Sequence, residues 1–112
     1  MKYAVPVSNG MLSQHFGHCE HFAIFEVDEK SKEITGKKLV PSPEHQPGLL
    51  PEWLAGQGVA VVIAGGMGSR AQDLFQQKNI QVVIGSTESD PEKAVASLLS
   101  GKLVIGDNVC DH

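Results

Sequence analysis

Six consecutive apolar residues, Val59-Ala60-Val61-Val62-Ile63-Ala64, stand between Gly58 and a turn of sequence Gly65-Gly66-Met67-Gly68. A strand with one wet face alternates apolar and polar side chains. A run without alternation is covered on both faces, the mark of a parallel strand inside an α/β sheet. It is also far too short to span a bilayer. The rest of the chain has to supply the other strands of that sheet and the helices that cover it.

It does so in a regular order. Lys2 to Val7 reads as a first strand, with Tyr3, Val5 and Val7 on one face, ended by the turn signal Ser8-Asn9-Gly10. A loop rich in histidine follows, up to Glu20. Phe22 to Val27 is a second strand, apolar on nearly both faces and therefore central. Asp28 to Lys32 is a polar connection, and Glu33 to Val40 a third strand whose Thr35, Lys37 and Lys38 suit a soluble sheet edge. Pro41 to Gly48 is a stiff, proline-rich loop. Leu50, Trp53 and Leu54, at i, i+3 and i+4, open a short helix to Gln57. After the Val59 to Ala64 strand a helix is expected from about Arg70 to Lys78, with Ala71, Leu74, Phe75 and Lys78 inward, the lysine extending its ammonium to water. Ile80 to Ile84 reads as another buried strand. Asp90-Pro91 is a cap followed by a first-turn proline, opening a helix to about Ser100 with Ala94, Val95, Leu98 and Leu99 inward. Lys102 to Ile105 reads as one more short strand and Gly106 to His112 as a tail. The expectation is a single domain over residues 1–112: three-layer α/β, with a mixed five-stranded sheet in the order β-β-β-α-β-α-β-α.

Composition removes several functions. With 112 residues, 41% hydrophobic and 20% charged, the chain is long enough for one buried core. Its net charge of −4, with Lys37-Lys38 the only adjacent basic pair, argues against nucleic-acid binding. The N-terminus enters a strand pattern at once, leaving no room for a signal peptide. Two cysteines, Cys19 and Cys110, are too few for a disulfide framework and fit a cytoplasmic protein; the pair allows one bridge, which a reducing compartment opposes. No membrane association is expected.

The chemistry is concentrated in His15-Phe16-Gly17-His18-Cys19-Glu20-His21, which holds three of the five histidines and one of the two cysteines. Imidazole and thiolate are the side chains that bind borderline and soft metals best. Topology strengthens the reading. If the crossovers are right-handed, the first, third, fourth and fifth strands run parallel. The loop carrying His15, the loop carrying His45 and the glycine turn then open at one end of the sheet. A last ascending strand would bring Cys110 and His112 there too. In open α/β sheets ligands bind beyond the carboxyl ends of the strands. Gly65, Gly66, Met67 and Gly68 allow backbone N–H groups to approach a ligand, and the following helix N-terminus favours negative charge. The turn is neither a Walker loop nor a dinucleotide fingerprint. Beside imidazole and thiol it suits an anionic metal cluster.

His15-Phe16-Gly17 after a first strand, Gly66-Met67-Gly68 opening a helix, and this element order together resemble the dinitrogenase iron–molybdenum cofactor biosynthesis family. The resemblance covers essentially the whole chain and implies a ribonuclease H-like fold. It further implies binding of an iron–sulfur, iron–molybdenum or related metal–sulfur cluster by a small carrier or accessory protein, with His15 at the family's histidine. Ribonuclease H-like nucleases carry metal-binding carboxylates on the first strand. Here no Asp or Glu precedes Glu20, so two-metal phosphodiester chemistry lacks its ligands.

The expected metal ligands are therefore His15, His18, Cys19, His45, Cys110 and His112, with Gly65, Gly66, Met67 and Gly68 as the cofactor-binding turn. His21 ranks lower because it abuts a strand. The function expected is a non-enzymatic cluster carrier that meets a cluster-donor or acceptor protein. The alternative is a regulatory or sensory module holding a single Zn or Fe ion through His and Cys. No Ser-His-Asp order or paired carboxylate points to an enzyme.

Overall fold

The computed structural model describes residues 1–13, 20–43, 49–86 and 88–101. The apolar run forms β5 (Val59–Ala64), which pairs in parallel with β1 (Lys2–Ser8) on one side and β6 (Gln81–Ile84) on the other. The chain between them comprises β2 (Met11–Leu12), β3 (His21–Asp28), β4 (Glu33–Pro41) and α1 (Leu49–Gly56), then α2 (Ser69–Gln77) between β5 and β6, and α3 (Pro91–Leu99) last. The sheet order is β4-β3-β1-β5-β6, with β2 attached to β1 alone. β3 is antiparallel to both β1 and β4, as its apolar faces and short polar connection to β4 require.

Alternation along the strands splits the interior into two cores. Ala4, Phe22, Ile24, Val62 and Ala64 face α1 and α2, where Leu50, Leu54 and Phe75 cover them. Val5, Val7, Phe25, Val27, Val61 and Ile63 face the opposite way, toward Ala94 and Val95 of α3. The three layers expected from the sequence are therefore helix pair, sheet and single helix, the ribonuclease H-like arrangement. Trp53 tilts against Phe22 at 5.6 Å between ring centroids, tying α1 to β3. Full burial of a side chain such as Leu54 contributes about 1.5–3 kcal/mol.

Three expectations need correction. Among the described residues the sheet has six strands rather than five, because Met11-Leu12 turns back on β1 through Val7↔Leu12 and Ser8↔Met11. The physical cause is Asn9-Gly10: both residues take positive φ, 55° and 79°, the requirement of a type I′ hairpin turn. Among the described residues the strand expected as buried over Ile80 to Ile84 is a sheet margin. Gln81 is exposed and Val83 alone is buried within β6. Lys78 does not line the inner face of α2. It is the exposed C-cap, and Asn79 takes positive φ to end the helix. The strand expected over Lys102 to Ile105, the tail Gly106 to His112 and the state of Cys19 and Cys110 lie outside the described residues.

Candidate metal centre

The carboxyl ends of β1, β5 and β6 lie at one end of the sheet, where β3 begins and β4 finishes. Hydrogen bonds lace this end together. Leu12 N donates to Ser89 O (2.7 Å), Ser13 N to Pro6 O (2.8 Å), Glu20 N to Val7 O (3.0 Å) and Ser42 N to Glu20 O (3.0 Å). The two residues that flank 14–19, and the strand that leads into 44–48, are thus fixed over the top of β1 and β3. His15, His18, Cys19, His45, Cys110 and His112 all lie outside the described residues. What the structure fixes is where the segments 14–19 and 44–48 depart: from one end of the sheet, joined by the Ser42–Glu20 bond.

The glycine turn opens at the same end. Gly85 N donates to Gly65 O (3.1 Å) and Ser86 N to Ala64 O (3.2 Å), so pairing between β5 and β6 continues past the strands themselves. Gly65 and Gly66 are buried. Met67 is fully buried, its side chain in the core with Leu54 and Phe75, so the thioether serves packing. The Met67 carbonyl accepts from Gln72 Nε2 at 2.9 Å, which clamps the turn to the first turn of α2. Gln72 was missed in the sequence reading. Its signal is weak, a polar side chain one turn into a helix behind a glycine turn.

Gly68 is the N-cap of α2 with φ −66° and ψ 154°, and it supplies no side-chain cap. A Cβ at this position would meet nothing within 4 Å. The first turn of α2 also lacks an acidic residue and carries the exposed Arg70. Among the described residues nothing accepts from its leading N–H groups, and Arg70 places a cation in that first turn. α3 is the contrast: Asp90 accepts from Glu92 N at 3.0 Å and from Lys93 N at 3.2 Å.

The carboxylates near this end are taken up by backbone. Glu20 Oε1 accepts from Asn9 N (3.0 Å) and Glu88 Oε1 from Asp90 N (3.1 Å). Among the described residues no three His, Cys, Asp or Glu side chains cluster as a metal site. His21 is half-buried at the start of β3, in register between Val7 and Pro41. By strand alternation it shares the α3 face with Ala23 and Phe25, whereas α2 and its glycine turn build the opposite core.

A mixed sheet in this order, with a glycine turn at the carboxyl end of its central parallel strand, defines a three-layer, ribonuclease H-like α/β domain. The sequence profile described as dinitrogenase iron-molybdenum cofactor matches residues 1–101, and the chain belongs to that family. An uncharacterised protein of Methanocaldococcus jannaschii, MJ0580, is 35% identical over 108 residues, 92% of this chain and 89% of that protein. The crystal structure of PH0822 superposes with a TM-score of 0.85 at 26% identity, covering 94% of each chain. The apo form of the orange protein from Desulfovibrio gigas shares the fold at a TM-score of 0.69 and 23% identity, over 96% of this chain and 93% of that one.

Proposed function

We propose that this protein is a cytoplasmic carrier of an anionic metal–sulfur cluster. It takes the cluster from a donor protein and passes it to an acceptor, with no chemical step of its own. Family membership supports a role connected with a metal cofactor. The solved orange protein, described as an apo form, is a relative in fold whose name implies a removable group. In this reading His15, His18, Cys19 and His45 are ligands from the two segments that leave the top of the sheet, and Cys110 and His112 complete the set. The backbone of Gly65, Gly66, Met67 and Gly68 lies against the cargo's anionic edge.

The observation that carries the reading is the α2 N-terminus. Its cap is a glycine that neither backbone angle nor packing demands, and its first turn bears a cation where an acid would stabilise the helix. Helix starts of this kind are suited to an anion. A bare Zn or Fe ion, the alternative cargo of a sensory module, gains nothing from those N–H groups. The test is metal and acid-labile sulfide analysis of protein purified without oxygen, with its visible spectrum. Iron or molybdenum together with sulfide is the expected result. Zinc alone, without sulfide, would replace the carrier by the ion-binding module.

A further inference from the structure

The turn that adds β2 to the sheet carries a chemical weakness in the residues that make it. A type I′ hairpin needs two residues at positive φ, and Asn9-Gly10 supply them at 55° and 79°. The same pair is the one in which the backbone attacks an asparagine amide most readily, because glycine sets no side chain beside its own nitrogen. The other two asparagines both precede β-branched residues, in Asn79-Ile80 and Asn108-Val109. Asn79 also takes positive φ, 59°, but the Ile80 N–H donates to Phe75 O at 3.0 Å. The Gly10 N–H has no acceptor among the described residues, and Asn9 and Gly10 are both exposed. Little holds the tip closed. β2 is two residues long and pairs with β1 alone, so the hairpin opens at far lower cost than the sheet behind it.

We propose that Asn9 is a site of spontaneous deamidation, and that its product loosens the end of the sheet formed by β1, β2 and the start of β3. In the step, Gly10 N gives its proton to water or hydroxide and bonds to Asn9 Cγ. The side-chain nitrogen leaves as ammonia, and a cyclic imide closes. Water then opens the imide at either carbonyl, leaving aspartate or isoaspartate. Water enters, ammonia leaves, and nothing is oxidised or reduced. The native turn holds the pair in one conformation, so the rate follows opening of the hairpin. The consequence comes from the partner of Asn9. Asn9 N donates to Glu20 Oε1 at 3.0 Å, and the Glu20 backbone is bonded to Val7 O and to Ser42 N. Aspartate carries a carboxylate on the Cβ of that donor residue. Isoaspartate carries it on the Cα itself and adds a methylene to the backbone of the turn. Either product sets a second negative charge close to the Glu20 carboxylate, and like charges at such range repel. The bonds from Leu12 N to Ser89 O and from Ser13 N to Pro6 O depend on the same hairpin. The proposal stands on Asn9, Gly10 and Glu20 and is independent of the carrier reading.

Metal-free full-length protein, incubated at mildly alkaline pH beside the same chain in urea, tests this by peptide mass mapping and isoaspartyl methyltransferase labelling. The Asn9 peptide should gain the mass of an amide turned acid, and the methyl label, before the Asn79 and Asn108 peptides do. It should convert more slowly in the native protein than in urea. In the converted protein the Leu12, Ser13 and Glu20 amides should exchange hydrogen at least about tenfold faster than in fresh protein. Asn9→Gly keeps a pair suited to the turn and removes the amide, so it should take up no label there and keep its slow exchange. Glu20→Gln should raise the Tm of Asn9→Asp but not that of the native chain, since it removes one of two like charges only in the variant. An Asn9 peptide still intact when Asn79 or Asn108 has converted overturns the proposal. So does one that stays intact after the chain in urea has converted fully. Converted protein whose Leu12 and Ser13 amides exchange as slowly as before, or equal effects of Glu20→Gln in both backgrounds, overturns the loosening.

Discussion

Gly68 is a glycine for which the folded chain gives no reason of its own. Its φ of −66° is open to any residue, and a Cβ there would meet nothing within 4 Å among the described residues. Gly68→Asp should therefore cap α2 and raise stability by about 0.5–1 kcal/mol, read as an increase in Tm. The same carboxylate would occupy the N–H groups proposed for the cargo, so cluster affinity should fall while stability rises. A variant that gains both would remove the α2 N-terminus from the site. For the histidines, His15→Ala should weaken cluster binding by at least about 10–100-fold, the loss seen even for residues behind a metal ligand. His21→Ala should leave it nearly unchanged, because His21 sits in β-register on the α3 face. Titration of cluster into the two folded variants decides the ranking, and equal affinities would refute it. The chemistry at these positions was legible as residue type. Direction was not, because the sequence around His15 has no periodicity from which a face could be read, and His15 itself lies outside the described residues.

At the scale of elements, the two longer helices of the described chain begin in opposite ways. Asp90 closes the start of α3 with two bonds, and Pro91 stands at its first position. Asp90→Ala should cost about 1 kcal/mol, in the range of 0.5–2 for a lost cap, with no effect on cluster binding. Urea unfolding at matched cluster occupancy measures both. The caps and long strands were readable because each has a physical signature of several residues: an unbroken apolar run for β5, Asp-Pro for α3, lysines on the β4 edge. β2 escaped because two residues show no alternation, although Asn9-Gly10 carried the hairpin signal. Lys78 reads as inward by spacing yet caps the helix, because helical spacing says which residues share a face but not where the last turn ends. β6 reads as buried in the sequence because Val82, Val83 and Ile84 are apolar, and an apolar edge reads like an apolar centre.

At the scale of the whole molecule, β1 holds the sheet together from its middle. It pairs with β3 through Lys2↔Glu26 and with β5 through Lys2↔Val59, so one partner is close in sequence and the other distant. Closing the shorter loop costs less entropy, which favours early formation of the β1-β3-β4 meander. Val5→Ala and Ile24→Val should therefore slow folding, whereas Val83→Ala should mainly speed unfolding. Stopped-flow folding and unfolding limbs separate the two effects, and uniform behaviour across all three variants would count against a polarised order. The same geometry has a consequence during synthesis. A ribosome delivers the meander first, and the side of β1 that β5 will fill stays bare until Val59 to Ala64 follows. At about 5–20 residues per second, the roughly twenty intervening residues leave that interval open for about 1–4 s. Val61, Val62 and Ile63, buried in the finished protein, then leave the ribosome as a sticky segment seeking a bare edge. For the nascent chain, the hazard of pairing with a neighbour on the same polysome belongs to those seconds.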